Sequence, residues 1–310
     1  MARKEIIVGS RGSRLALIQS ELVISELKKH YPQIDFKIKK IKTIGDKILD
    51  KTLDKIGGKG LFVKEIETAL LKGEIDMAVH SMKDVPSEFP KGLQISAITK
   101  RKDVRDILIT KEGNSFNELK QGAKIGTSSL RREAQLRGLR KDLNIVPIRG
   151  NVETRINKIK EMDLDGVILA AAGLIRLGLE DRISESFSPY DIVPAVGQGA
   201  LGIETREDDS LIKEMVSKIN DDSTSLAVKG ERRFMTILNG GCHVPVGGFA
   251  YIEDEKLKMV GMVSSIDGQR IIKAYGEDEV QNYGELGSEI AEEVLSRGGR
   301  EILQELEGDR

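Results

Sequence analysis

Apolar positions in the first hundred residues alternate between two spacings. "EIIVGS" near the N-terminus is typical of a strand, and from Ser13 to Tyr31 apolar residues recur at helical spacing. "FKIKKIKTI" and "IDMAVHSM" predict two further strands, with an amphipathic helix between them that contains Phe62 and Ile66. This alternation predicts an α/β domain whose helices cover the faces of an open sheet. Ligand clefts of such sheets lie beyond the carboxyl ends of the strands.

Three more strand-to-helix transitions follow. "AKIGTSS" leads into "LRREAQLRGLRK", "LNIVPIRG" into "NVETRINKIKEM", and "DGVILAAAG" into "LIRLGL". The later segment "ALGIETR" reads as a strand that rejoins the first sheet, because it follows the turn-rich "PAVGQG". The sequence therefore predicts a first α/β domain from residues 1–99 and 200–219, and a second from residues 100–199.

Residues 220–310 predict a smaller α+β domain. Helical stretches precede a hairpin with Asp267 and Gly268 at its turn, and a helical pattern ends the chain. The start of this domain holds Cys242, the only cysteine, in "NGGCHVPVGG". A lone cysteine is most often a small buried hydrophobe. Here the glycines and Pro245 favour an irregular turn, where a thiol can react.

Composition excludes several classes of protein. Lysine plus arginine (49) nearly balances aspartate plus glutamate (50), there is no tryptophan, and aromatic residues make up 4%. A nucleic-acid-binding module would need basic charge and stacking platforms. No apolar run approaches the ~20 residues that span a bilayer. One cysteine excludes an internal disulfide, and "MARKEIIV" lacks the apolar region of a secretory signal, so we expect a cytoplasmic protein. With one cysteine and three histidines, we predict no essential metal.

Arginines recur where predicted strands end or helices begin. Guanidinium groups bind carboxylates or phosphates pairwise, and helix N-termini add backbone donors. These positions predict a site for a small polycarboxylate, although for any one of them a solvated surface arginine remains an equal alternative. The arginines concerned are Arg131, Arg132, Arg149, Arg155, Arg176 and Arg206.

A lysine and an acid end another predicted strand. In "HSMKDVP", Ser81, Lys83 and Asp84 precede a proline at the carboxyl end of the strand. An isolated Lys-Asp pair is usually an unremarkable ion pair. In a cleft, the carboxylate could instead stabilise a developing positive charge or move a proton. The segment "KIGGKGLF" lacks the spacing of a phosphate-binding loop. Its Lys59 is therefore as well explained by a solvated loop residue as by a ligand-binding one.

Seven segments in order carry a family resemblance. "GGKGLF", "DMAVHSMKDVP", "GTSSLRR", "RGNVETR", "ILAAAGL", "PAVGQGALGIE" and "GGCHVPVG" together resemble the porphobilinogen deaminase family, also called hydroxymethylbilane synthases. The resemblance covers Ile6 to about Ala250. Arg14 stands where relatives commonly carry proline, and His243 where glutamine is frequent. The resemblance implies two periplasmic-binding-protein-like α/β domains around a cleft, followed by the α+β domain.

The resemblance also implies a reaction. Such enzymes join four porphobilinogen molecules head to tail with loss of ammonia and release hydroxymethylbilane by hydrolysis. A dipyrromethane cofactor, attached to Cys242 through a thioether, would prime each round. Asp84 would stabilise the cationic azafulvene that forms when ammonia leaves. We expect a monomer that binds porphobilinogen and neither nucleic acid nor membrane.

The resemblance assigns the remaining candidate residues to three groups. Arg11, Arg149 and Arg155 would surround the reacting substrate with Asp84. Lys83, Asp84, Ser129, Arg131 and Arg132 would hold the cofactor together with Cys242. Ser13, Lys59, Ser81, Arg176, Gln198 and Arg206 would bind substrate or the growing chain. The alternative is a noncatalytic small-anion-binding protein of periplasmic-receptor-like fold, since a fold alone does not establish activity.

Overall fold

The computed structural model describes residues 4–43, 63–86, 89–239 and 244–308. Lys59, Cys242 and His243 lie outside the described residues. The chain divides into two compact units. Unit 1 comprises residues 1–102 and 200–225, and unit 2 comprises residues 103–199 and 226–310. The three-domain boundaries given above stay predictions.

Unit 1 is built on a five-stranded sheet. Its strands are β1 (Glu5–Arg11), β2 (Asp35–Ile41), β3 (Met77–Ser81), β4 (Leu93–Ile98) and β10 (Leu201–Arg206), in the order β2-β1-β3-β10-β4. Strand β1 runs parallel to β2 and β3, whereas β10 runs antiparallel to β3 and β4. The segment "ALGIETR" therefore joins this sheet, as its sequence predicts.

The described residues of unit 1 also form the helices α1 (Arg14–His30), α2 (Lys64–Leu71) and α6 (Ser210–Ser217). Helix α1 begins where the Oγ atom of Ser13 accepts a hydrogen bond from the Ala16 amide at 3.3 Å. Its apolar stripe is buried in a core with the sheet and α6. The helix starts directly after β1, so its N-terminus lies beyond the carboxyl end of that strand.

The first sheet of unit 2 has the same pattern of strand directions. Its strands are β5 (Asp106–Thr110), β6 (Lys124–Gly126), β7 (Asn144–Val146), β8 (Gly166–Ala170) and β9 (Glu185–Ser186), in the order β7-β6-β8-β5-β9. Strands β7, β6 and β8 are parallel, and β5 is antiparallel to β8. Helices α3 (Leu130–Leu139), α4 (Val152–Glu161) and α5 (Ala171–Leu177) follow β6, β7 and β8 respectively.

A three-stranded antiparallel sheet forms the C-terminal part of unit 2. It consists of β11 (Val246–Glu253), β12 (Lys256–Ser264) and β13 (Ile271–Glu279), and the helices around it are α7 (Asp222–Ile237), α8 (Tyr283–Val294) and α9 (Arg300–Gly308). The hairpin between β12 and β13 turns at Gly268, whose φ of +71° suits glycine, which lacks a Cβ. This confirms the hairpin predicted at Asp267 and Gly268.

The predicted fold class is confirmed: two sheets carry α/β transitions, and a smaller α+β region follows them. Helix α1 begins beyond the carboxyl end of β1, and α3, α4 and α5 begin beyond those of β6, β7 and β8, which is where ligand sites of such sheets lie. Within the described parts of the chain, no helix combines the length and apolarity needed to cross a membrane.

Candidate active site

Asp106 is the centre of a buried charge cluster in unit 2. It is the first residue of β5 and pairs with Ala170 at the end of the antiparallel β8, so it lies at the carboxyl edge of the parallel strands. Asp106 is fully buried. Its Oδ2 atom accepts a hydrogen bond from Arg131 Nη1 at 2.7 Å, and Oδ1 accepts one from Arg132 Nη2 at 2.7 Å. Gln198 Nε2 also donates to Oδ1, at 3.0 Å.

The cluster, defined by Asp106, Arg131 and Arg132, carries more positive than negative charge. Both arginines are 5% exposed. Burial alone would raise the pKa of the Asp106 carboxyl, but the two guanidinium charges and their hydrogen bonds hold it well below its usual range. Burial lowers the pKa of Arg131, and the neighbouring charge of Arg132 adds to that effect. One carboxylate faces two guanidinium groups, so an anionic ligand would complete the neutralisation.

Backbone carbonyls fix the orientation of the two arginines. Arg131 Nη1 donates to the carbonyl oxygen of Val193 at 2.5 Å, and Arg132 Nη1 donates to that of Ile168 at 3.1 Å. Both residues lie in the first turn of α3. The structure thus brings these two predicted site residues together, but around an aspartate that the sequence analysis did not select.

Two loops meet beside this cluster at the carboxyl edge. The Thr127 amide donates to the Val146 carbonyl at 3.0 Å, and Ser128 Oγ donates to the Ile148 carbonyl at 2.7 Å. Ser129 caps α3 by accepting a hydrogen bond from the Arg132 amide at 3.4 Å. The N-termini of α3 and α4 therefore follow adjacent loops, and their positive dipole ends favour anions.

Three further arginines of unit 2 differ in how they are held. Arg155 donates through Nε to the Gly150 carbonyl at 2.9 Å. Arg149 is half-buried, and its guanidinium forms no hydrogen bond or ion pair within the described ranges. Arg176 donates through Nη2 to the Gly199 carbonyl at 2.7 Å, whereas its buried Nε has no acceptor among the described residues. Burial lowers the pKa of Arg176 to about 10. Arg149 and Arg176 thus retain donors for an acidic ligand.

In unit 1, the predicted acid lies on a short turn beyond β3. Residues Met82–Asp84 form one turn of 3₁₀ helix, directly after Ser81. Asp84 is exposed, and its carboxylate forms no hydrogen bond or ion pair with a described residue. Lys83 and Asp84 do not pair with each other, so the simple ion pair considered above is not formed. The carboxylate of Asp84 is available to a ligand.

Residues of β1 share this edge of the sheet. Arg11 ends β1, and Ser13 caps α1 directly afterwards. Because β1 and β3 are parallel neighbours, Arg11, Ser13 and Ser81 lie at the same carboxyl edge. Gln19 Nε2 donates to Ser81 Oγ at 2.9 Å and ties α1 to the end of β3.

Arg206 lies at the opposite edge of this sheet. It ends the antiparallel β10 and pairs with Leu93 at the start of β4, whereas Leu201 at the other end of β10 pairs with Ser81. Its guanidinium donates to the carbonyls of Leu70 and Ile75 at 2.9 and 2.7 Å. The structure does not bring Arg206 together with Asp84, although its position at a strand end was the basis for its selection.

A buried pair of an acid and a histidine lies in the unit 1 sheet and was not predicted from the sequence, where the histidines were considered only as possible metal ligands. His80 Nε2 lies 2.9 Å from Glu204 Oε2, and both residues are buried. Glu204 Oε1 has no hydrogen-bond partner among the described residues. Burial, followed by the charge of Glu204, raises the pKa of the adjacent Glu67 to about 7. The only available signal was the unusual pairing of polar residues within apolar strands.

The elements on both sides of the cysteine segment are anchored in unit 2. Glu231, on α7, is fully buried. Its Oε2 atom accepts a hydrogen bond from the Gly197 amide at 2.7 Å, and Oε1 accepts one from the Ala250 amide on β11 at 2.8 Å. Helix α7 precedes residue 242 and β11 follows it, so one carboxylate joins the two flanks to the loop before β10.

Comparisons with known proteins identify the family of this chain. Residues 6–214 match the family model of the porphobilinogen deaminase dipyrromethane cofactor binding domain, and residues 225–296 match that of the porphobilinogen deaminase C-terminal domain. The porphobilinogen deaminase of Alkaliphilus metalliredigens is 52% identical over 306 residues, covering 99% of this chain and 97% of that protein. That of Carboxydothermus hydrogenoformans is 49% identical over 307 residues, covering 99% of both.

A solved structure of the methionine-binding protein MetQ covers 74% of this chain and 95% of its own, with 15% identity and a TM-score of 0.44. That similarity is too small to add to the fold description. The two family models, by contrast, span most of the sequence, and the relatives match nearly all of it at about half identity. The chain belongs to the porphobilinogen deaminase family.

Proposed function

We propose that this chain joins four porphobilinogen molecules head to tail with loss of ammonia and releases hydroxymethylbilane by hydrolysis. The observation that carries the proposal is the surplus of guanidinium over carboxylate at the carboxyl edge of the unit 2 sheet. The cluster at Asp106 has one uncompensated positive charge, and Arg149 and Arg176 keep free donors. Each porphobilinogen bears an acetate and a propionate, so the growing chain gains two anionic groups per step.

The cofactor fits the donors that these residues present. Dipyrromethane supplies a primer whose free pyrrole end accepts the first substrate. Because Cys242 is the only cysteine, it is the only position at which a thioether can form. We assign Arg131, Arg132 and Ser129 to the carboxylates of this group, since they combine buried positive charge with a helix N-terminus. Lys83 keeps the cofactor-binding assignment that the family resemblance implies.

The reacting substrate would be bound by Arg11, Arg149 and Arg155. Their guanidinium groups orient its carboxylates pairwise, which fixes the aminomethyl group for displacement. Asp84 then stabilises the positive charge that develops on the substrate as ammonia leaves. An exposed carboxylate without a competing partner suits this role, since a fixed anion acts where positive charge appears.

The remaining residues would support the growing chain. Ser13 and Ser81 lie at the edge that carries Asp84, and Arg176 offers its buried Nε. Gln198 binds Asp106 and so acts through the charge cluster. Lys59 keeps this assignment from the family resemblance. Arg206 is left out, because its guanidinium is used by carbonyls at the opposite edge of the sheet.

We also propose that the enzyme acts as a monomer in the cytoplasm. A thioether at a single thiol requires that thiol to stay reduced until the cofactor is attached, which the cytoplasm favours. Sedimentation equilibrium of the purified protein would give a mass near the 34.2 kDa of one chain plus the cofactor. A mass twice as large would contradict the proposed monomer.

One experiment tests the reaction and the attachment together. Intact-mass measurement of the purified protein should exceed 34.2 kDa by two linked pyrrole units, and Cys242→Ala should lack the increment. With porphobilinogen, the wild type should produce uroporphyrin colour after acid oxidation, and the variant should not. A noncatalytic anion-binding protein would bind porphobilinogen without forming colour, so an unmodified or colourless wild type would reject the proposal.

A further inference from the structure

The position of Asp84 depends on the backbone of its turn. Its exposed carboxylate has no hydrogen bond or ion pair with a described residue, so contacts of its own side chain do not hold it. Within the turn, the Val85 amide donates to the Met82 carbonyl at 3.3 Å. Whatever holds the end of β3 therefore determines where the carboxylate lies.

Strand β10 holds the turn from one side. The Met82 amide donates to the Ala200 carbonyl at 3.0 Å. The Met82 side chain is 2% exposed and packs on Gly202, where a Cβ atom would lie 2.3 Å from the Met82 sulfur. This close approach favours the observed pairing of β3 with β10, because a shift by one residue would place a side chain in the space of Met82.

His80 and Glu204 link the same two strands through their side chains. His80 pairs with Gly202, and Glu204 pairs with Ala78, so the 2.9 Å contact between imidazole and carboxylate crosses the two strands diagonally. His80 lies three residues before Lys83 along the chain and is 6% exposed. The contact thus fixes β3 close to the point where the turn begins.

The contact between His80 and Glu204 contributes little to stability compared with apolar packing at the same positions. A buried pair of polar side chains loses hydration, and apolar side chains of similar size would often be as stabilising. Glu204 Oε1 has no partner within the described residues, which adds to the cost. Glu67, on helix α2, is buried near the pair, and the charge of its carboxylate adds repulsion with Glu204. Retaining such groups is explained if they specify a position.

We propose that His80 and Glu204 are positioning residues for Asp84: their contact holds the end of β3 so that the Met82–Asp84 turn presents the carboxylate to the substrate. Neither side chain touches the substrate. The inference rests on the role of Asp84 under the proposed function.

The test compares three variants of the purified, cofactor-bearing enzyme. His80→Leu removes the contact and should lower kcat about tenfold to a hundredfold, the loss expected from a misplaced group. KM should stay within about threefold of the wild-type value, because the arginines that bind the substrate remain. The mass of the attached cofactor should be unchanged. His80→Gln keeps a donor for Glu204 and should recover kcat to within about threefold of wild type. Ile212→Ala is the matched control, since it empties a fully buried site in unit 1 and should lower the unfolding midpoint with kcat unchanged.

A double-mutant cycle separates this inference from the proposed function. If His80 acts through Asp84, then His80→Leu combined with Asp84→Asn should turn over no more slowly than Asp84→Asn alone. The positioning role would be overturned if the kcat losses of His80→Leu and Asp84→Asn multiplied in the double variant. It would also be overturned if His80→Leu and His80→Gln had equal kcat. Either result would leave the role of Asp84 unaffected. Normal turnover of Asp84→Asn would overturn both. If His80→Leu does not fold, His80→Asn, which is too short to reach Glu204, replaces it in every arm.

Discussion

Glu67 offers a sharp test of the electrostatics inside unit 1. It lies on α2 and is 7% exposed. Burial raises the pKa of its carboxyl from 4.5 to about 7, and the charge of Glu204 adds to the rise, while His80 and Lys64 oppose it. Glu67→Gln keeps nearly the same shape but cannot ionise. The substitution therefore removes one titration and leaves the packing in place.

The sign and the size of the effect follow from linkage. The folded protein binds the Glu67 proton more tightly than the unfolded chain does, so ionisation costs folding free energy as the pH rises from about 4.5 to 7. A carboxyl pKa raised from 4.5 to about 7 corresponds to about 3 kcal/mol of folding free energy. Glu67→Gln should thus resemble wild type at pH 4.5 and be more stable by up to about 3 kcal/mol at pH 8.

Urea unfolding followed by circular dichroism, repeated from pH 4.5 to 8.5, measures this difference. Hydrogen exchange of α2 amides gives the same quantity locally, since these amides report opening of unit 1. The exposed Glu21, replaced by Gln, is the control and should change stability by less than about 0.5 kcal/mol at every pH. A constant difference between Glu67→Gln and wild type across this range would refute the argument.

Three further outcomes are expected. Asp106→Asn should cost about 3 to 5 kcal/mol in urea unfolding, because it leaves two buried guanidinium groups without a counter-charge; a loss below about 1 kcal/mol would contradict the cluster's energetics. Arg149→Leu should stall elongation by removing contacts of about 1.5 to 3 kcal/mol, visible as trapped intermediates on native gels, whereas Arg137→Leu, which breaks a helical pair with Glu133, should not. Asp84→Asn should fold and carry cofactor but lose about 10² to 10⁴-fold in turnover, and a loss within about tenfold would reject its role.

Much of the architecture is predictable because the spacing of apolar residues is set by burial. The α/β transitions and the C-terminal hairpin all follow from periodicity and turn residues. The site residues that follow parallel strands are predictable for the same reason: Ser129 follows β6, Arg149 follows β7, and Asp84 follows β3, so the chain must place them at carboxyl edges. For these three positions, the location of the preceding strand is nearly enough to predict that the residue lies at the carboxyl edge of the sheet.

The periodicity of apolar residues does not show the direction of a strand, and strand direction decides where Asp106 and Arg206 lie. Strands β5 and β10 are both antiparallel to their neighbours β8 and β3. In an antiparallel strand the first residue, not the last, reaches the carboxyl edge of the parallel strands. Asp106 begins β5 and therefore lies at the carboxyl edge of the unit 2 sheet, within hydrogen-bond distance of Arg131. Arg206 ends β10 and therefore lies at the opposite edge of the unit 1 sheet. The same reversal thus explains why the sequence pattern does not point to Asp106, and why Arg206, which was selected at a strand end, lies away from Asp84.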